Sequence, residues 1–304
     1  WGGLGDGACD MLDASFRLAS EPALLDEIET AGSYEVRTQS GEAWTQLVFG
    51  VQPAEFDALE NPIFAQRPDY FGDVRTRQGI AACLDRQGLA ALTTSGWGMP
   101  WPSFASPEAS RLDEGIVFNP EAGAALLEDA GWIDDDDDPA TPRIAQNVVN
   151  VFNETPLSLT LLAGPSAFHQ DLAGMIKENL SACGLGVEVQ ALPTAELFAP
   201  GPEGPLFGRA FDLALVAWQP LPGPDCGLYA SWAVPNGGNG WIGTNVAGFR
   251  DDGYDRACAA AALALPDEAP LLLAQAEGVY LELLPAVPLL APPVVEVWRI
   301  GESW

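Results

Sequence analysis

Positively charged residues are scarce in this chain. Lys and Arg together number 13 against 43 Asp and Glu, Lys177 is the one lysine, and the formal net charge is −30. Nucleic acids and anionic lipid surfaces are bound through Lys and Arg. The composition therefore argues strongly against nucleic acid as a partner and against binding to an anionic membrane surface. It favours solubility in a salty exterior over a cation-attracting site.

Residues typical of catalytic centres are also missing. His169 is the single histidine, and its place beside Gln170 and Asp171 on an amphipathic segment is that of an ordinary surface residue. The sequence has no Gly-x-Ser-x-Gly elbow and no Lys-Ser/Thr after its glycine pairs. We therefore expect no enzymatic activity and no cofactor.

Metal-binding motifs are equally weak. The five cysteines form no CxxC pair, so a zinc site is not expected. The run Asp134–Asp138 could bind calcium through alternate carboxylates, but an EF-hand loop needs Gly and Glu where this chain has Pro139 and Ala145. A solvated surface loop is the favoured interpretation of the run, and we predict no metal site.

Long apolar runs are absent as well. No stretch approaches the roughly 20 apolar residues of a membrane span, and the chain opens at Trp1 without a signal peptide or an acylated cysteine. An exported protein would thus be seen here in its processed form. The length of 304 residues and the 48% hydrophobic content suffice for one large domain or two smaller ones.

Strand and helix patterns alternate along the chain, which predicts an α/β fold with a mixed sheet. Strands are predicted at 34–38, 44–50, 156–163, 187–190, 211–218 and 289–298. Helices are predicted at 73–86, 119–131, 166–182, 254–265 and 269–284, with Asp73 and Asn119 as N-caps and Gly131 as the C-terminal stop.

Tryptophan is abundant, with ten residues in the chain. Five of them lie in predicted loops or at strand ends, namely Trp97, Trp101, Trp218, Trp232 and Trp241. Each by itself is as compatible with a core as with a pocket. Their concentration in loops that follow strands favours a ligand pocket for some of them.

Several segments share one ordered pattern. They are Gly7–Asp13, Phe71–Gln87, Asn119–Trp132, Phe211–Trp218, Pro224–Cys226, Asn239–Asn245, Tyr254–Cys258 and Leu284–Leu289. In this order they resemble the family 5 extracellular solute-binding proteins, the peptide- and nickel-type receptors of ABC importers. Members of that family have roughly 200 further residues ahead of this part, in two lobes around a cleft.

The resemblance implies a fold and a division of the chain. The fold would be the type II periplasmic-binding-protein-like α/β fold, as a second lobe plus the C-terminal part of the first. Residues 1–45 would belong to the first lobe, 46–268 to the second, and 269–304 would return to the first. The crossings between lobes would lie near Phe49 and Pro266.

The function implied is that of an extracellular or periplasmic substrate-binding component of an ABC importer. It would capture an oligopeptide-like or other uncharged organic solute between the lobes and deliver it to the transporter permease. A membrane anchor in a preceding N-terminal segment, and a second chain that carries the missing half, belong to this expectation. The alternative is a cell-surface structural or interaction protein that has this fold but no transport ligand.

The ligand-binding residues are predicted from loop placement and family position. They are Trp97, Trp101, Trp218, Gln219, Trp241 and Asn245. Peptide-binding relatives place an Asp three residues after the tryptophan that corresponds to Trp218, and here that position is Leu221. A buried cation needs a counter-charge, so recognition of a free α-amino group is not expected.

The cysteine pairing is predicted within the same framework. Cys83 and Cys183 would join the ends of two second-lobe helices, and Cys226 and Cys258 would join the ligand loop to the next helix. Relatives carry a sixth cysteine near the position of Val295, so Cys9 is expected to be unpaired.

Overall fold

Two β-sheets of three or more strands organise the chain. The structure is a computed structural model, and it describes all residues except 1, 7, 13–17, 19–21, 40, 42, 95, 97, 106–109, 111–114, 137, 139–140, 220–224 and 301–304. The described strands are β1 (Met11–Leu12), β2 (Tyr34–Gln39), β3 (Trp44–Phe49), β4 (Met99–Pro100), β5 (Trp132–Ile133), β6 (Ile144–Ala145), β7 (Ser158–Ala163), β8 (Gly186–Ala191), β9 (Leu213–Trp218), β10 (Ala286–Ala291) and β11 (Val294–Arg299).

The helices lie between these strands. They are α1 (Gly2–Gly5), α2 (Pro22–Ala31), α3 (Val74–Ala82), α4 (Arg86–Thr93), α5 (Pro120–Asp129), α6 (Ala167–Ser181), α7 (Thr194–Leu197), α8 (Asp252–Leu263) and α9 (Ala269–Leu283). Short 3-10 helices cover Ala54–Ala58, Pro62–Phe64, Asp225–Tyr229, Ser231–Ala233 and Gly237–Asn239. No helix of the described residues is long and apolar enough to cross a bilayer.

The larger sheet is mixed, as the sequence predicts. Its strand order is β4-β10-β3-β9-β7-β8. Strands β7, β8 and β9 run parallel, whereas β3 is antiparallel to both β9 and β10. The carboxyl ends of β7 and β9 therefore meet at one edge of the sheet, together with the first residue of β3.

Hydrophobic side chains cover both faces of this sheet. Leu47, Leu161 and Leu215 face a core that includes residues of α3, α4 and α6. Trp44, Val48 and Val216 face a second core, which includes residues of α8 and α9. Burial on both faces accounts for the nearly continuous apolar sequence of β9.

Capping residues begin and end the helices where the sequence predicts. The Asp73 side chain accepts from Arg75 N at 2.9 Å, and the Asn119 side chain accepts from Ala122 N at 3.1 Å. Gly131 follows α5 with a φ of +99°, a conformation that side chains with a Cβ disfavour. Local hydrogen-bond chemistry thus sets these boundaries.

The predicted closing strand over 289–298 is wrong in one respect. Two strands occupy this stretch, with Pro292 and Pro293 between them. β10 pairs with β3 in the larger sheet, whereas β11 pairs with β1 and β2 in the smaller one. Proline has no backbone N–H to donate to a ladder, so the two prolines end the first strand and let the chain change sheets.

The smaller sheet takes strands from both ends of the chain, whereas the larger sheet takes the strands between them. The smaller sheet, β1-β11-β2, packs with α2 through Leu25, Ile28 and Val297. The chain passes from one sheet to the other between β2 and β3 and between β10 and β11, and the predicted division into lobes remains a prediction. Residues 269–291 accordingly pack with the six-stranded sheet, where Tyr280 of α9 is buried, and not with the smaller sheet.

Both predicted disulfides are present. Cys83 is bonded to Cys183, and Cys226 to Cys258. Cys83 ends α3 and Cys183 follows α6, so the first bond joins two helix ends as expected. Cys9 is a free and exposed thiol.

Three buried tyrosines predict loss of stability at alkaline pH. The hydroxyl of Tyr229 donates to Gln46 Oε1, that of Tyr254 to Cys226 O at 2.5 Å, and that of Tyr280 to Ala286 O at 2.9 Å. Burial raises the pKa of all three above the ordinary 10. The folded-state pKa of each tyrosine exceeds its unfolded-state pKa. The contribution of the three tyrosines to the free energy of unfolding is therefore complete below pH 10 and declines as the pH rises above 10.

We therefore expect these tyrosines to stay protonated above pH 10 until the protein unfolds. Tyrosinate absorbance and circular dichroism followed through one alkaline titration would test this, with unfolding and ionisation of the three groups expected together. Full ionisation of all five tyrosines near pH 10 in a folded protein would contradict it.

Candidate functional site

Three tryptophans form a cluster at the carboxyl end of β9. Trp218 is the last residue of this strand and lies directly opposite Trp44, the first residue of β3. Trp101 stacks on Trp44 with the ring centroids 5.6 Å apart and the planes 1° from parallel. Trp44 and Trp101 are buried, whereas Trp218 is half-buried and packs against the same core. Trp218 is thus the member of the cluster that solvent can reach.

The backbone holds Trp101 in place from two sides. Its N–H donates to Leu289 O of β10 at 3.0 Å. Its carbonyl accepts from Arg86 Nη1 at 2.8 Å, and the same guanidinium nitrogen donates to Pro288 O at 2.9 Å. The segment after β4 is therefore fixed to the sheet, and the position of the Trp101 ring follows from these bonds.

The cluster is held by stacking and burial. The indole nitrogens of Trp44 and Trp101 are both buried and have no hydrogen-bond partner within the described part of the chain. Offset stacking of aromatic rings contributes about 0.5–1.5 kcal/mol beyond the area that is buried. A rigid apolar support of this kind suits a wall against which a ligand can pack.

Gln219 follows Trp218 and is exposed, so it is the first polar side chain beyond the cluster. Residues 220–224, including Leu221, lie outside the described residues, as does Trp97. The predicted roles of Trp97 and of the position of Leu221 remain predictions.

Trp241 lies in the loop that precedes α8. It has a φ of +62° and is half-buried. The backbone N–H of Trp241 donates to Asn236 O at 2.8 Å. Gly201 lies so close that a Cβ added to it would be 2.8 Å from the Cβ of Trp241. The ring therefore packs closely on the Gly201 backbone, whereas Trp101 and Trp218 are joined through Trp44.

Asn245 is turned inward. The side chain is fully buried, and its amide nitrogen donates to the carbonyls of Tyr229, Ala230 and Phe249 at 2.8, 3.1 and 2.8 Å. These bonds tie together the loop segments on either side of it. Asn245 thus orders the loop that carries Trp241, and its predicted contact with a ligand remains a prediction.

Trp44 is the residue that the sequence analysis missed. It begins a strand pattern, and nothing in its local sequence distinguishes it from an ordinary core residue. Its partner Trp218 is apparent only from the strand register.

The single histidine lies at the same edge of the sheet, after β7. Its Nδ1 is 2.7 Å from Ser166 Oγ at the start of α6, and burial lowers the pKa of its imidazole. It is half-buried rather than a plain surface residue. Among the described residues no group of three or more His, Cys, Asp or Glu is arranged to hold a metal.

The sequence profile of the bacterial extracellular solute-binding proteins, family 5, matches residues 13–240. The chain belongs to this family. No curated protein matches the sequence.

Solved structures of other solute-binding proteins have the same fold. The oligopeptide-binding protein from Thermus thermophilus, complexed with a pentapeptide, aligns with a TM-score of 0.74 at 21% identity over 97% of this chain and 49% of its own. AppA from Bacillus subtilis, with a nonapeptide, gives 0.70 at 16% identity over 100% and 55%. NikA from Brucella suis, with Fe(III)-EDTA, gives 0.74 at 16% identity over 99% and 56%.

The chain spans about half the length of these proteins. The mixed sheet and the likeness to periplasmic binding proteins confirm the predicted α/β fold of type II. The family is one of extracellular binding proteins, in line with the expectation of a receptor.

Proposed function

We propose that this chain forms one lobe, and part of another, of an extracellular solute-binding protein that serves an ABC importer in peptide or related solute transport. Family membership over residues 13–240 supports the proposal. So does the likeness over nearly the whole chain to receptors solved with a pentapeptide, a nonapeptide and Fe(III)-EDTA. The alternative, a surface interaction protein without a ligand, has no comparable support.

We assign the six-stranded sheet with its helices to the second lobe and the three-stranded sheet to the first. Each sheet has its own hydrophobic core, which is what separate lobes require. The two crossings, from β2 to β3 and from β10 to β11, would then act as the hinge between the lobes. This assignment shifts the expected boundaries but keeps the order of first lobe, second lobe and return.

In the proposed ligand wall Trp97, Trp218, Gln219 and Trp241 contact the ligand. The buried Trp101 supports this wall by stacking on Trp44, and Asn245 orders the loop that carries Trp241. The observation that carries the proposal is the pairing of Trp218 with Trp44, and of Trp44 with Trp101, at the carboxyl end of β9. Ligands of open α/β sheets bind outside the carboxyl ends of the strands. The half-buried Trp218 is therefore placed to contact a ligand, and the other two rings of the cluster hold it rigid.

The proposed ligand is an uncharged or weakly polar organic molecule, such as an oligopeptide without a recognised free amino terminus. Aromatic walls bind such molecules by stacking and desolvation. The position at which peptide-binding relatives carry an Asp is Leu221 here, and the net charge of −30 disfavours anions.

The proposal includes partners. Tight binding in two-lobed receptors comes from closure of both lobes around the ligand, and a single lobe supplies one wall. The rest of the first lobe would come from further residues of the same polypeptide or from a second chain. A transporter permease would receive the ligand, and an N-terminal lipid or peptide anchor would hold the receptor at the membrane.

Substitution of Trp218 by alanine tests the proposed function. We expect the protein isolated from its source to carry a bound organic molecule, detectable by native mass spectrometry. Trp218→Ala should weaken rebinding of that molecule at least tenfold, about 1.4 kcal/mol, because stacking area is lost. The affinity is measured by calorimetry on each protein after the bound molecule has been removed.

Trp232→Ala is the matched control, because Trp232 is 57% exposed and lies outside the cluster. It should bind as the unsubstituted protein does. Equal affinities for the unsubstituted protein and Trp218→Ala would refute the proposed wall.

A further inference from the structure

We propose a second small-molecule site at the far end of β9 from Trp218, which takes a small, uncharged, polyhydroxylated compound. The site is a cavity of about 370 Å³ whose polar lining includes Gln66, Arg67, Thr160, Gln190, Arg209 and Asp212. It does not depend on the function proposed above.

The cavity is remote from the tryptophan cluster. Asp212 immediately precedes β9, whereas Trp218 is its last residue. Leu162, which also lines the cavity, pairs with Ala214 of β9. A strand advances about 3.3 Å per residue, so these two parts of the lining lie about 13–20 Å along β9 from Trp218.

Ion pairs and backbone hydrogen bonds hold the walls in place. Arg67 Nε donates to Asp212 Oδ1 at 2.8 Å, and Arg67 Nη1 donates to Gly50 O at 2.8 Å. The other Asp212 oxygen accepts from Thr160 N at 2.9 Å. These bonds join the segment before β9 to β7 and to the loop after β3, so this wall is preorganised.

The opposite wall is held by Arg209, which is 1% exposed. Its Nη1 donates to Gln52 O at 2.9 Å, and its Nη2 pairs with Asp57. Its Nε is buried and has no hydrogen-bond partner in the described part of the chain. A buried donor left without an acceptor costs about 1–3 kcal/mol, so this wall is short of an acceptor.

Other polar side chains of the lining are also unengaged. Gln66 and Gln190 are exposed and Thr160 is half-buried, and the side chains of all three make no hydrogen bond to other described residues, so they are open to a ligand from solvent. Glu55 uses one carboxylate oxygen to accept from Gln66 N at 2.6 Å. The cavity thus offers donors and acceptors together, and hydroxyl groups can satisfy both kinds.

The charges select a neutral molecule. Each arginine of the lining is paired with an aspartate, Arg67 with Asp212 and Arg209 with Asp57. An anionic ligand would be repelled by the carboxylates of Glu55 and Asp212. A cationic ligand would be repelled by the guanidinium groups of the two arginines. One side of the cavity is apolar, and the C–H groups of the ligand can pack there against Pro53, Leu162 and Phe211. The volume falls within the roughly 300–1,000 Å³ range of small-molecule pockets.

Three sugars of one size but different charge test the site: D-glucose, D-glucosamine and D-glucose 6-phosphate. Each is titrated into the isotope-labelled full chain and followed by nuclear magnetic resonance. We expect D-glucose to shift amide signals of residues 160–162 and 208–212, and to bind at least fivefold more tightly than either charged sugar. The indole signals of Trp218 and Trp241 should stay unchanged.

Two conservative variants, Thr160→Val and Gln190→Leu, should each weaken D-glucose binding at least threefold, whereas Gln275→Leu on the exposed side of α9 should not. Circular dichroism confirms that each variant is folded. No shift at these residues with D-glucose, tighter binding of a charged sugar, or unchanged affinity in both variants would overturn the proposal.

Discussion

Replacement of both Cys83 and Cys183 by alanine is expected to lower the free energy of unfolding by about 4–5 kcal/mol. The bond spans 100 residues of sequence. Without it, the unfolded chain regains the entropy that closure of this long loop had removed. Both cysteines are also buried in the main core, so their loss removes packing as well. Urea unfolding followed by circular dichroism measures the change.

A second pair of substitutions calibrates this result. The Cys226–Cys258 bond spans 32 residues, and the same loop-closure relation gives about 1 kcal/mol less for its removal. Cys9→Ser, at the exposed free thiol, should leave stability unchanged. If the long-loop variant lost less than the short-loop variant, restriction of the unfolded chain would not be the main contribution of these bonds.

Substitution of Trp44 by alanine is expected to destabilise the protein by about 3–5 kcal/mol. Trp44 is fully buried, stacks on Trp101 and lies opposite Trp218. Its removal leaves a large cavity, and the neighbouring rings can fill it only by leaving their hydrogen-bonded segments. Urea unfolding gives the loss of stability, and calorimetry gives the loss of ligand affinity that should accompany it.

The comparison with Trp218→Ala separates stability from binding. Because Trp218 is half-buried, we expect its substitution to lower stability less than that of Trp44 while it weakens ligand binding directly. Trp232→Ala, at a residue 57% exposed, should change stability by less than about 0.5 kcal/mol. A Trp44→Ala protein as stable as the Trp232→Ala protein would contradict the role assigned to the stack.

Local chemistry in the sequence was sufficient for most of the helices. Asp73 and Asn119 cap their helices through bonds that span two or three residues, and Gly131 ends α5. Such signals depend on neighbouring residues alone, so they can be recognised without tertiary information. The predicted strand at 289–298 is wrong for an equally local reason, because Pro292 and Pro293 interrupt it and divide it between β10 and β11.

Family resemblance extended the prediction beyond local patterns. The disulfides Cys83–Cys183 and Cys226–Cys258 follow from the places that the family gives to these residues, and both are present. The sequence itself, with five dispersed cysteines, left the pairing open. Their placement in loops favours Trp101 and Trp218 as ligand-binding residues, but loop placement does not distinguish a buried ring from an accessible one.

Tertiary structure alone decided which side chains meet. The antiparallel register of β3 and β9 sets Trp44 opposite Trp218. The inward turn of Asn245 depends on the carbonyls of Tyr229, Ala230 and Phe249. The Arg67–Asp212 pair joins residues 145 positions apart. By itself the sequence determined the fold class, the start of α3, both ends of α5 and the acidic, cation-poor composition, whereas the helix predicted at 73–86 ends at Ala82 and is followed by α4. The proposed binding surfaces depend on strand register and long-range packing, which no local pattern encodes.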